Sequence, residues 1–126
     1  MAKILIIEDS QQVQLCLSKM VQRMGHEVVT ADDGERGLEL AQQAAADVII
    51  SDLQLPGALE GVPLIRKLRD TRPNCPVVVV SGYPSEAMNK CYELGVNDFL
   101  VKPFEVSFLS QVIDRVLGGT VSQTAP

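Results

Sequence analysis

Five polar residues stand where short apolar runs end, and their chemistry is complementary. Glu8 and Asp9 follow Ile4-Leu5-Ile6-Ile7, Asp52 closes Val48-Ile49-Ile50-Ser51, Ser81 follows Val77-Val78-Val79-Val80, and Lys102 follows Phe99-Leu100-Val101. Three carboxylates brought together raise one another's pKa and repel unless a cation is shared among them. An all-oxygen cluster without His or Cys suits a hard divalent ion, Mg²⁺ or Mn²⁺. Lys102 would add an ammonium and Ser81 a hydroxyl, which together with a metal form an electrostatic clamp for a transferring phosphoryl group. Asp52 stands alone at its strand end and is the candidate nucleophile. Glu8 and Asp9, adjacent and near a helix start, suit metal positioning. Each residue also has an ordinary use, as a helix cap, a turn residue or a solvated strand end. The joint pattern favours chemistry, because four of the five strands end in residues that complement one another.

Such residues converge only if the strands run parallel. Five β-type blocks (4–7, 27–31, 48–52, 77–81 and 99–102) alternate with helical blocks. The first, third and fourth are apolar on successive residues, as strands covered on both faces are. Val13, Cys16, Leu17, Met20, Val21 and Met24 form an apolar stripe of helical period, opened by Ser10 as N-cap and closed by Gly25. Asp33 can cap a second helix reaching about Ala45. A third runs from about Val62 to Asp70, with Pro63 tolerable in its first turn. A fourth spans Ser85 to Leu94 and ends at Gly95. A fifth carries Val106, Leu109, Ile113, Val116 and Leu117 and ends at Gly118-Gly119. Residues 1–119 therefore read as one (βα)₅ domain, an α/β doubly wound parallel sheet with helices on both faces. Residues 120–126, polar and aperiodic, read as a flexible tail. Ligands of such a sheet collect outside the carboxyl ends of its strands, where the five polar residues lie.

Composition narrows the function. The 126 residues are 46% hydrophobic and 21% charged, enough for one real core. Eleven Lys and Arg against sixteen Asp and Glu give a net charge of −5 with no basic stripe, which disfavours direct nucleic-acid binding. Cys16, Cys75 and Cys91 are odd in number and never form a CxxC pair, so reduced thiols in a cytoplasmic protein are expected. No apolar run exceeds four residues and no cleavage site follows Met1, so neither a membrane span nor a leader is expected. Cys16 and Cys91 read as small core residues and His26 as a surface turn residue. No Gly-rich nucleotide loop follows the first strand, where Glu8-Asp9-Ser10 stand instead.

The blocks Ile-Leu-Ile-Ile-Glu8-Asp9, Asp52-Leu-Gln-Leu-Pro56-Gly57, Val-Ser81-Gly82-Tyr83 and Phe99-Leu-Val-Lys102-Pro103-Phe104 are each weak signals. In this order and spacing, over about residues 3 to 118, the chain resembles the receiver domain of two-component response regulators. The resemblance implies a flavodoxin-like fold with strand order 2-1-3-4-5. It implies that Asp52 accepts a phosphoryl group from a phosphohistidine on a histidine kinase or phosphotransfer protein, catalysing its own modification rather than turning over a substrate. Glu8, Asp9 and Asp52, with the main-chain carbonyl of Gln54, would hold Mg²⁺, while Ser81 and Lys102 would bind phosphoryl oxygens. Ser81 and the aromatic Phe99 would then switch a surface formed by the fourth helix, last strand and fifth helix toward a downstream protein target. A cis Lys102-Pro103 peptide is frequent in the family. Exposed Leu15, with Pro103 and Phe104, would suit docking of a partner helix.

Two features depart from the commonest pattern. Gly61 lies nine residues after Asp52, where eight is usual, so the loop Gly57-Ala58-Leu59-Glu60 is one residue longer. That loop resembles receivers attached to hybrid histidine kinases, and a single-domain protein and a detached module both stay open. So do a monomer and a phosphorylation-linked dimer. Gln54 and Tyr83 occupy positions that tune how fast water reaches an aspartyl phosphate. Two other functions compete: a receiver-fold adaptor that takes no phosphate, and an aspartyl-phosphate hydrolase. Haloacid-dehalogenase-type hydrolases place a second Asp two residues after the nucleophile, where this chain has Gln54, and no cap insertion is evident.

Overall fold

A computed structural model describes residues 2–82 and 86–123, the side chains of residues 119–123 excepted. The elements alternate without exception: β1 (Lys3–Ile7), α1 (Gln11–Arg23), β2 (Glu27–Ala31), α2 (Gly34–Gln43), β3 (Val48–Asp52), α3 (Gly61–Thr71), β4 (Val77–Ser81), α4 (Glu86–Glu93), β5 (Asp98–Val101) and α5 (Val106–Gln123). All four strand pairings are parallel, in the order β2-β1-β3-β4-β5. This is the doubly wound sheet expected from the alternation.

Alternate strand residues supply two cores. Ile4, Ile6, Ile50, Val78, Val80 and Leu100 pack with Leu17 and Val21 of α1 and Leu109, Val112 and Ile113 of α5. Leu5, Ile7, Ile49, Val77, Val79 and Phe99 face the other way, against Ala41 of α2, Leu64, Ile65 and Leu68 of α3 and Cys91 of α4. Burial on both faces is why β1, β3 and β4 are continuous apolar runs.

The helix starts follow their capping chemistry. The Ser10 hydroxyl accepts from the Val13 N–H at 3.3 Å and the Asp33 carboxylate from the Arg36 N–H at 2.8 Å. Past α1 and α4, Gly25 and Gly95 adopt φ of 93° and 88°, the left-handed conformation that ends helices at glycine. His26 sits in the turn after α1, its Nδ1 accepting from the Ala2 N–H at 3.0 Å.

Several expectations need correction. Helix α2 stops at Gln43 rather than Ala45, and Ala44 is extended at ψ 136°. Alanines favour helix, but the Arg72 guanidinium takes the carbonyls of Ala41, Ala44 and Ala46 and turns the chain toward β3. Cys16 is exposed, not a core residue, whereas Cys91 is buried as expected. The buried face of α1 is Gln14, Leu17, Ser18 and Val21, rotated from the stripe read by hydropathy, with Val13, Met20 and Met24 half-buried at its margin. Helix α3 is one residue longer at each end than its apolar positions suggest. In α5, Gly118 leaves helical geometry at φ −140°, yet helical backbone continues to Gln123, into the segment read as a tail. Tyr83 and Ser85, and with Ser85 the expected start of the fourth helix, lie outside the described residues.

Candidate functional site

The carboxyl edge of the sheet gathers the charged residues from separate loops. Glu8 follows β1 with 2% exposure, and Asp52 closes β3 with 6%. Asp9, next in the chain, is exposed. One carboxylate oxygen from each of Glu8, Asp9 and Asp52 lies within 4.8 Å of the others. Lys102, just past β5, donates from Nζ to Asp52 Oδ2 at 2.8 Å and to Glu8 Oε1 at 3.2 Å. The remaining oxygens are also held: Asp52 Oδ1 by the Gln54 N–H at 3.0 Å, and Glu8 Oε2 by the Ser10 N–H at 3.0 Å. The cap residue of α1 thus anchors a site carboxylate through its own backbone.

Two buried carboxylates beside one ammonium are electrostatically unequal. Burial pushes the Glu8 carboxyl above the usual range; the Ser10 N–H opposes it, the Asp52 carboxylate adds to it, and Lys102 opposes it. Desolvation pulls the Lys102 ammonium down, but Asp52 and Glu8 together outweigh it and its pKa is raised. A group whose folded pKa is raised contributes stability fully present below its unfolded pKa, about 4.5 for Glu8, and lost as pH rises through the folded value. Ionised Glu8 therefore works against folding at neutral pH when no metal is bound. Glu8→Gln is expected to melt higher than the parent in metal-free buffer at neutral pH, and the gap to close as pH falls toward the unfolded value. Paired melts across that pH range check this; a gap that widens in acid contradicts it.

The donor set fits a hard divalent cation: oxygen ligands only, clustered, with excess negative charge that one ammonium does not balance. Ser81 ends β4, 7% exposed, and its carbonyl accepts from the Lys102 N–H at 2.7 Å. Phe99 is buried at 6%, with its ring 4.8 Å from that of exposed Tyr92 and inclined 57°. The Lys102-Pro103 peptide is cis.

Of the expected docking residues, Pro103 and Phe104 line one apolar groove and Leu15 does not. Leu15 is 56% exposed, yet the apolar groove of about 330 Å³ beside Pro103 and Phe104 is lined from α1 by Val13, Cys16 and Met20. Two polar residues escaped the sequence reading. Asp32 follows β2 and accepts from Gln11 and Gln14 Nε2 at 3.0 and 2.9 Å. Gln14 is buried on α1, where its spacing of three and seven from Leu17 and Val21 marks it as a polar residue on an apolar face.

A parallel sheet ordered 2-1-3-4-5 with an acid–lysine cluster on its carboxyl edge defines the class of CheY-like receivers. The family profile described as "Response regulator receiver domain" matches residues 4–114, and the chain belongs to that family. It is 35% identical to Protein PilH of Pseudomonas aeruginosa over 123 residues, covering 94% of this chain and all of PilH. Other curated relatives are longer: the chain spans 32% of one and 24% of another. Among solved structures it resembles the chemotaxis protein CheY4 of Vibrio cholerae (TM-score 0.86, 34% identity, 93% of this chain and 99% of that one). It also resembles the receiver domain of the sensor histidine kinase PA1611 of P. aeruginosa (TM-score 0.84, 27% identity, 93% and 98%), described with a magnesium ion coordinated in its active site cleft. Among the described residues no helix is long and apolar enough to cross a membrane.

Proposed function

We propose that this chain is a phosphoacceptor in a two-component relay, with Asp52 the residue modified. The observation that carries the reading is the Lys102 ammonium, 2.8 Å from a buried Asp52 carboxylate that two further carboxylates surround. An Asp52 oxygen would attack the phosphorus of a phosphohistidine, the P–N bond would break, and the freed imidazole would take a proton. The product is an acyl phosphate on Asp52.

The Gln54 N–H and Lys102 each hold one Asp52 oxygen, which orients the carboxylate before the donor arrives. Lys102 supplies a charge that can follow the phosphoryl oxygens as negative charge builds on them. Ser81, at the adjacent strand end, would donate its hydroxyl to the same oxygens. Glu8, Asp9, Asp52 and the Gln54 carbonyl would hold Mg²⁺, which neutralises phosphoryl charge when bound.

Donors and targets follow from the same reading. The donor would be a sensor histidine kinase or phosphotransfer protein, docking over the groove of Val13, Cys16, Met20, Pro103 and Phe104, with exposed Leu15 on the same helix. The output would be a protein contact, or a second copy of the chain, on the surface of α4, β5 and α5. Phe99 connects that surface with the core, since it also lines a depression of about 450 Å³ with Val101, Phe104 and Phe108. A cytoplasmic location accords with three unpaired cysteines.

Intact-mass spectrometry after incubation with acetyl phosphate tests the reading. One added phosphoryl group is expected with Mg²⁺, and none with a chelator or in Asp52→Ala. No adduct on the parent chain, and no stabilisation by beryllofluoride, would leave a receiver-fold adaptor as the better description.

A further inference from the structure

We propose that Gln14 is a positioning residue for the acidic cluster, fixing the peptide between Glu8 and Asp9 and thereby setting the cluster's affinity for a divalent cation. The inference rests on the assignment of Glu8 and Asp9 as ligands under the proposed function.

Gln14 lies on the first turn of α1 and is 9% exposed. Its Nε2 donates to the Glu8 carbonyl at 2.9 Å, to Asp32 Oδ1 at 2.9 Å and to the Ala31 carbonyl at 3.3 Å. An amide nitrogen has two protons, so three oxygens compete for them and the longest contact is the weakest. Every partner is an acceptor. What this position requires is a donor.

The Glu8 carbonyl belongs to the peptide unit that joins the two candidate ligands. That unit is planar, so holding its oxygen fixes the orientation of the plane. On either side of this plane sit buried Glu8 and exposed Asp9, whose carboxylates both reach the cluster. On its other side, the Glu8 N–H donates to the Ala31 carbonyl at 2.9 Å, just past the Ile7–Ala31 pair that ends the β1–β2 ladder. Beyond that point, among the described residues, no strand backbone bond to the Glu8 carbonyl follows, and the Gln14 amide takes the place of the missing rung. The same nitrogen reaches Asp32 past the end of β2, so one side chain ties α1 to both diverging strand ends. Gln14 acts through the Glu8 backbone rather than on the cluster's oxygens.

The test is Mg²⁺ affinity of the unphosphorylated chain by titration calorimetry, with far-UV circular dichroism and a melt to establish folding. Gln14→Met keeps the length and loses the donor, and is expected to weaken Mg²⁺ binding about tenfold, the lower end for residues that orient metal ligands. Gln14→Lys restores a donor and is expected to bind within about threefold of the parent. A folded Gln14→Met chain that binds Mg²⁺ as the parent does overturns the proposal. A measurement on the parent chain stands even if that variant fails to fold. In a nitrogen-labelled NMR titration with Mg²⁺, the Gln14 side-chain amide signals are expected to shift in step with the Glu8 and Asp9 backbone amides. Immobile Gln14 signals overturn the proposal. Because the readout is metal binding, a parent chain that binds Mg²⁺ but accepts no phosphoryl group sinks the phosphoacceptor reading separately.

Discussion

Lys102→Ala is expected to slow phosphoryl uptake from acetyl phosphate by about 10²–10³-fold at saturating Mg²⁺, the usual cost of removing one preorganised charge or donor from a transferring group. In the resting chain Lys102 bridges Asp52 and Glu8, and its side chain is 30% exposed against 8% and 2% for theirs. Its removal leaves two buried carboxylates facing each other. Breaking a fully buried ion pair costs about 3–5 kcal/mol, and partial exposure of Lys102 brings the expectation here to about 1–3 kcal/mol. The two losses should separate when Mg²⁺ is added: a cation on the same carboxylates restores much of the stability but not the rate. Lys102→Arg sharpens the comparison. Its larger planar guanidinium keeps the charge, so stability should stay near the parent's while uptake stays slow. Rates followed by mass spectrometry beside melts with and without Mg²⁺ check both halves. An alanine variant that accepts phosphate at nearly the parental rate removes Lys102 from the transfer step.

How much of this arrangement could be read in advance depends on the range of the interaction. The bounds of β3 and β4 coincide with their apolar runs, because burial on both faces leaves no polar interruption until the strand ends, whereas the edge strand β2 carries exposed Glu27 and Thr30. A parallel sheet then puts every carboxyl end on one edge, so Glu8, Asp9, Asp52 and Lys102 could be grouped without knowing any distance. What hydropathy could not show was which face of α1 turns inward. Its stripe was read from apolar residues alone and included Cys16, which is exposed. The true face includes a glutamine drawn in by the carbonyls of Glu8 and Ala31. The end of α2 escaped for the same reason, since the arginine that turns the chain there lies 26 to 31 residues away. Polar contacts between segments distant in sequence leave no period to detect.

Ile50→Ala separates the scaffold from the site it carries. Ile50 is 1% exposed at the centre of the sheet, between Ile6 of β1 and Val78 of β4, and packs in the core under α1 and α5. Truncation removes buried methylenes and leaves a cavity that strands held on both sides cannot close. A loss of about 3–4 kcal/mol is expected, against a total of about 5–15 kcal/mol for a domain. At this size that corresponds to a melting midpoint lower by about 10–15 °C. Asp52 lies only two residues further along the same strand, but other bonds hold it. The Leu53 N–H donates to the Val80 carbonyl at 3.1 Å, and the Asp52 carboxylate is fastened by Gln54 and Lys102. Well below its midpoint, the variant should therefore take up phosphate at close to the parental rate. A rate that falls in step with stability would mean that packing under the sheet, and not the polar contacts at the strand ends, sets the geometry of Asp52.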